Sequence, residues 1–290
     1  MLENNYDLKG RNMRKNSVKP EYLIEKKNDL NNMVKSDLTV EELKILSIYL
    51  SKINARDVGT RAVRFTLGEM QSIMGIGRMN TTALDVVTNR LLQHVVRIPT
   101  PEGRGVEKFQ LFKRCRLEKD ENGTWTIEID AHDESLPLMF DFKQEYFTYK
   151  LQNVLSLASS NQIRMYEILK QYEKIGQREL TIEQLKDLLA IKDDDYSRWD
   201  NFKSRVLDSC QEALEKYTDI KFTYEKGKSG PGGKWLSVIF TITANSSERG
   251  KVELIKDCSE YVDAVCVSDS PVNKNTILFN DEEIEIEGLF

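Results

Sequence analysis

Arg198, Asn201, Ser204 and Arg205 are spaced so that a helix gathers them on one side. Their chemistry is directed hydrogen bonding. Arg forms a bidentate pair with guanine O6 and N7, and Asn with adenine N6 and N7. Lys203 falls beside the apolar stripe of the same segment, which suits a backbone phosphate better than a base. Lys226, Lys228 and Lys234 frame a glycine-rich run from Gly227 to Gly233. Lysines on a flexible tip suit a sugar-phosphate backbone. These residue types point to double-stranded DNA.

Other chemistries lack their parts. A phosphate-cradling P-loop needs Lys directly after its second Gly, whereas Gly232 is followed by Gly233, and Lys234 by Trp235. His94 and His132 stand far apart, so metal-assisted strand cleavage with a paired-His site is not expected. Cys115, Cys210, Cys258 and Cys266 form no CxxC pair and read as reduced, mostly buried thiols. Asp193, Asp194 and Asp195 read as a solvated loop before a helix. We expect no enzyme activity, no metal and no cofactor.

The elements that must position these residues follow from periodicity. On a helical wheel over Arg198–Tyr217, Trp199, Phe202, Val206, Cys210, Ala213 and Tyr217 form the core side. Ser197 is the expected N-cap. The opposite face is graded, from Arg198, Asn201, Ser204 and Arg205 to Asp208, Glu212 and Glu215, so its N-terminal half is the end that suits base edges. Ile220–Tyr224 and Trp235–Ile242 alternate with period two on either side of the glycine run and read as a hairpin.

The arrangement occurs twice. Thr66–Ile76 and Thr181–Ile191 share one pattern: Thr, apolar, any, Glu or Gln, apolar, two polar or small, two apolar, small, Ile. Each opens with a capping box. A longer helix precedes each (Val40–Ile53, itself opened by Thr39 and Glu42, and Asn161–Lys174), and another follows (Thr81–Gln93 and Arg198–Lys216). After Thr81–Gln93 the period again changes to two, through Val95–Ile98, a Pro/Gly turn, Phe109–Leu117 and Trp125–Ile129. A three-helix unit closed by a hairpin is a winged helix. The fold class is therefore α+β, two tandem winged-helix domains, expected over residues 36–148 and 149–243.

The first domain is less suited to base reading. Its third helix exposes Thr82, Asp85 and Asn89 opposite Ala83, Leu84, Val87 and Leu91. Arg78 and Asn80 at the start of that helix, and Arg104 and Lys108 near the wing, are candidates for phosphate contacts. The strands Phe109–Leu117 and Trp125–Ile129 are a candidate protein interface.

Two segments flank the domains. Residues 1–35, rich in Asn and Lys, read as a flexible arm with a short ordered piece near Tyr22–Ile24. Residues 244–290 carry four Lys/Arg against eleven Asp/Glu and read as a disordered acidic tail. The net charge of −5 thus hides a body of +2. Without a signal-like or membrane-spanning apolar stretch, we expect a cytoplasmic protein that does not engage membranes.

Thr39–Ile53, Arg64–Ile76, Tyr149–Tyr172 and above all Tyr196–Leu207 followed by Tyr217–Ile220 resemble theta-type plasmid replication initiators with two winged-helix domains, the Rep_3 family. The resemblance covers about residues 16–243. It implies binding to directly repeated origin sites (iterons), origin opening, recruitment of the host replication initiator and helicase, and self-repression by a dimer in equilibrium with the initiating monomer. It further implies that the first domain makes the dimer contact and that Arg198, Asn201, Lys203 and Arg205 make the main base contacts. A winged-helix transcriptional repressor and a protein-interaction module remain open as alternatives.

Overall fold

Three threonines open helices by the same local device. Thr39 Oγ1 accepts from the Glu42 amide while Glu42 accepts from the Thr39 amide. Thr66 and Glu69 exchange the same pair of bonds, as do Thr181 and Gln184. Each box satisfies amide donors that a helix start leaves unpaired. A computed structural model of the chain describes residues 18–32, 38–74, 81–100, 104–192, 195–196, 198–245, 276–279 and 282–285.

The order is β1 (Leu23–Lys27), α1 (Asn28–Asn32), α2 (Val40–Lys52), β2 (Ala62–Thr66), α3 (Leu67–Met74), α4 (Thr81–Gln93), β3 (Val95–Pro99), β4 (Val106–Gln110), β5 (Phe112–Lys119), β6 (Trp125–Ala131), α5 (Leu136–Met139), β7 (Tyr146–Lys150), α6 (Leu151–Leu155) and α7 (Ser160–Lys170). Then come β8 (Gln177–Thr181), α8 (Ile182–Leu188), α9 (Trp199–Phe202), a π-helical segment (Lys203–Asp208), α10 (Ser209–Tyr217), β9 (Ile220–Lys226) and β10 (Ser237–Ala244).

The duplication is visible in the sheets. The first three-stranded sheet runs β2-β6-β5 and the second β8-β10-β9, so in each the strand before the short helix pairs with the last strand of the unit. Those leading strands, Ala62–Thr66 and Gln177–Thr181, are absent from the helix, short helix, helix, hairpin reading. They are short, and their partners lie far along the chain.

The first domain's hairpin reading also needs correction. Val95–Pro99 pairs with Val106–Gln110 as a separate two-stranded ribbon. The wing position of the sheet is the turn between β5 and β6, with Asp120, Glu121, Asn122 and Gly123. Buried Leu111 separates the two hairpins.

Part of the segment expected as a flexible arm over residues 1–35 is ordered. β1 pairs antiparallel with β7, Leu23 opposite Lys150 and Lys27 opposite Tyr146, across the expected domain boundary. Lys26 is buried, with Nζ 2.7 Å from Glu167 Oε2 on α7, and the Tyr149 hydroxyl donates to Glu167 Oε1 at 2.5 Å. A lysine-rich segment reads as solvated, but here one lysine is neutralised inside. Residues 1–17 lie outside the described residues.

α2 is more deeply placed than one apolar stripe implies. Leu43, Leu46, Leu50 and Ile53 are buried, and so are Ile45, Ile48 and Tyr49. The helix packs against β1, α4, α6 and α7, and α7 in turn packs against α10. One hydrophobic core therefore runs through both winged helices, and the described residues up to Asn245 belong to a single compact unit. The second unit is Glu253–Phe290. In it β11 (Thr276–Phe279) pairs antiparallel with β12 (Glu282–Glu285), Ile277 opposite Ile284. No helix among the described residues is long and apolar enough to cross a membrane.

Candidate nucleic-acid interface

The helix that follows α8 is broken into α9, the π segment and α10. The wider π turn lets two consecutive residues, Val206 and Leu207, both face the core, where a regular wheel places only Val206. Phe202, Cys210, Ala213 and Leu214 are buried with them, while Trp199 and Tyr217 are half-buried. The Cys210 thiol is pushed up to about 12 by burial, so it stays protonated and packs as an apolar group. Cys115 is half-buried, and desolvation raises its thiol to about 11.

The outward face matches the expected grading. Arg198, Asn201, Ser204 and Arg205 are exposed, and Glu212 and Glu215 are exposed further along. Arg198, with extended φ −91° and ψ 129°, is the N-cap residue, the place expected of Ser197, which lies outside the described residues. Ser204 Oγ donates to the Asp200 carbonyl at 2.9 Å, which leaves its lone pairs outward. Neither Arg198 nor Arg205 forms an ion pair with another described residue.

Lys203 is placed differently. Its Nζ lies 2.9 Å from Asp208 Oδ2 and 5.8 Å from the centre of the Tyr224 ring. The Tyr224 hydroxyl donates to the other Asp208 oxygen. That hydrogen bond, with Lys203 beside it, holds the Asp208 carboxyl below its usual value, and Asp208 raises the lysine in return. Lys203 is thus paired within the π segment and lies over a ring of β9, with much of its side chain still at the surface.

The glycine-rich connection has a defined shape. Pro231–Gly233 makes one 3-10 turn in which Gly232 and Gly233 take left-handed φ of 68° and 78°, a region that favours glycine. At Gly227 a Cβ would lie 2.3 Å from Ser237 Oγ, which itself donates to Glu179 Oε1 at 2.6 Å. Lys226 Nζ donates to the Gly233 carbonyl, so this lysine closes the loop on itself. Lys228 and Lys234 are exposed, with no ion pair to a described residue.

Helix and wing are joined by an aromatic stack between Trp199 and Trp235. Sequence reasoning assigned Trp199 to the core and gave Trp235 no role. The available signal is a large aromatic directly after Gly232-Gly233-Lys234, where a flexible tip needs an anchor.

In the first domain Thr82, Asp85 and Asn89 are exposed as expected, and Asn89 Nδ2 donates to Asp85 Oδ2 at 3.0 Å. Ala83, expected in the core, is exposed, while Leu84 and Leu91 are buried. Arg90 lies 3.0 Å from the buried Glu42, which also meets His94 at 3.1 Å. Arg104 and Lys108 are exposed on the β3–β4 ribbon, not at the turn of the three-stranded sheet. Arg78, Asn80, Asp193 and Asp194 lie outside the described residues. On the candidate interface strands, cations are matched by acids: Arg64 and Arg116 both stand opposite Glu128, and Arg114 opposite Asp130. Among the described residues no group of three His, Cys, Asp or Glu is placed to hold a metal ion.

Residues 23–170 match the family described as Initiator Replication protein, WH1, and residues 181–242 the family described as Initiator Rep protein, WH2. No curated protein matches the chain. The fold is similar to that in the crystal structure of Pi initiator protein in complex with iteron DNA, at 16% identity and a TM-score of 0.65, over 79% of this chain and all of that one.

Proposed function

Because the chain belongs to the initiator replication protein family, we propose that it binds repeated sites, iterons, in double-stranded plasmid-origin DNA. The carrying observation is the exposed set Arg198, Asn201 and Arg205, set beside exposed Lys228 by the Trp199–Trp235 stack. The helix supplies base contacts and the wing phosphate contacts. Ser204 adds a weaker polar contact and Lys234 a second phosphate contact, while Lys203, paired with Asp208, and Lys226, bonded to the Gly233 carbonyl, are held at the edge of that surface. The Pi initiator of similar fold was crystallised with iteron DNA, which supports this mode.

The first domain contributes less to sequence reading, through Thr82 and Asn89. It also holds the contact of a homodimer in equilibrium with monomer. The monomer helps open the origin and recruits the host initiator and helicase. The dimer represses the promoter of its own gene. This reading assigns the protein a binding role with no catalytic step.

A footprint of the purified protein on the DNA beside its coding region tests the proposal. Regularly spaced protected repeats are expected. A single operator-like site makes the protein a repressor, and no protection rejects DNA binding there.

A further inference from the structure

Trp199 and Asp208 mark the two ends of the stretch that carries Asn201, Ser204 and Arg205, and both are tied to the same hairpin. At the start, Trp199 stacks on Trp235. At the end, Asp208 accepts from the Tyr224 hydroxyl of β9 and pairs with Lys203 at 2.9 Å. The Tyr224 and Trp235 rings are themselves neighbours, with centroids 6.5 Å apart. Beyond the stretch, α10 has its own bond to β9, from Gln211 Nε2 to the Phe222 carbonyl at 2.9 Å.

Much of the tied stretch is the π segment Lys203–Asp208. A π turn closes from residue i to i+5 and so holds one residue more than an α turn, a rare form that is frequent at functional sites. Residues beyond the extra one are set back by about one position, roughly 100° around the helix axis. Arg205 sits inside that segment, whereas Arg198 and Asn201 precede it. The angle between Arg205 and the other two is therefore set by the π turn and not by the period of a regular helix. Packing favours the turn, since Val206 and Leu207 are both buried. Ser204 Oγ supports it by donating to the Asp200 carbonyl, four residues back. The bond between Tyr224 and Asp208 holds its far end. An arginine reads a base bidentately only in a fixed plane, while its attraction to phosphate tolerates many angles. A rotation of Arg205 thus costs specificity before it costs affinity for DNA in general.

We propose that Tyr224, acting through Asp208, is a positioning residue for base reading: their bond holds the π turn that aims Arg205, and so sets specificity at the base pair that Arg205 contacts. This rests on the DNA-binding reading above and deepens it, by naming groups that touch no base and yet decide which base is preferred.

The test compares the footprinted site with a random duplex, using the full chain. Tyr224→Phe removes one hydroxyl and keeps the ring against Phe222, Phe240 and Trp235. It is expected to lower the ratio of the two affinities roughly tenfold, about the size of one bidentate contact. The salt slope on random DNA should not change, because no cation is removed. In an R205A background, Y224F should lower the ratio no further. Asp208→Ala breaks the tie from the helix side, at a residue 42% exposed, and should likewise lower the ratio only while Arg205 is present. An unchanged ratio in Y224F, or an equal loss with and without Arg205, overturns the inference. A fall in affinity for both duplexes by one factor also overturns it, and makes Tyr224 a general support of the wing. R205A run alone separates the two readings. A loss there with none in Y224F strikes only the tie, and a wild-type chain that prefers neither duplex removes the DNA-binding reading and the inference together.

Discussion

The indole of Trp199 stacks on that of Trp235, ring centroids 4.6 Å apart and planes inclined by 26°. Trp199 is the first residue of α9, and Trp235 lies on the returning limb of the wing, bridged to Ser229. The proposed DNA surface is therefore one preorganised piece: the helix residues assigned to bases and the lysine assigned to phosphate share an aromatic anchor.

Replacing that anchor should loosen both parts together. Trp235→Leu removes an aromatic pair worth roughly 0.5–1.5 kcal/mol beyond its buried area. Denaturant unfolding should show that loss, and DNA affinity should fall with it. Affinity at the wild-type level in the variant would mean that the wing acts independently of the helix.

Arg205 is exposed on the helix face and free of ion pairs with described residues. Arg205→Ala should lose about 1–3 kcal/mol of discrimination between the footprinted site and random duplex. Competition binding measures this directly, and equal discrimination in variant and wild type would remove Arg205 from base reading.

Lys228 stands on the wing, where its backbone amide donates to Ser237 Oγ at 2.6 Å and its side chain is exposed. Lys228→Ala should weaken binding to every sequence alike and flatten the salt slope by about one unit. A loss confined to the specific site would assign the residue to base contact instead.

The Lys26–Glu167 pair is buried at 2.7 Å and joins β1 to α7. Burial depresses the Lys26 ammonium below its ordinary value, while Glu167 pulls it back. Lys26→Met takes the buried ammonium away from the Glu167 carboxylate, which keeps the Tyr149 hydroxyl, and should cost about 3–5 kcal/mol. Urea unfolding of the full chain checks it; a loss under 1 kcal/mol, on the order of a surface pair, would show the site is open to water.

Deleting Ser246–Phe290 removes a strongly acidic segment. Affinity for duplex DNA should stay level or rise, since those charges repel phosphate. A large fall in a salt titration would make the segment part of the binding surface.

Local devices were legible from the chain alone. The three Thr-led caps involve residues three apart, and the exposed face of Arg198, Asn201 and Arg205 follows from helical period. The repeat was readable because both copies use the same local devices in the same order. Period and capping act over a few residues, so a linear reading contains everything they need.

Pairings between distant segments were not legible. β2 meets β6, β8 meets β10, and β1 meets β7. Each depends on which distant strand offers a matching edge. The same blindness hid the separate ribbon that sets Arg97 against Lys108, and the interior place of Lys26. It also hid the pairing of Lys203 with Asp208 and its place over the Tyr224 ring. By itself the sequence determined the main helices of the two repeats, most of their outward faces and the duplicated order. Only the tertiary structure decided which cations are neutralised within the chain and which remain for a partner, because a charge is set by what packs beside it, and long-range packing has no period to read.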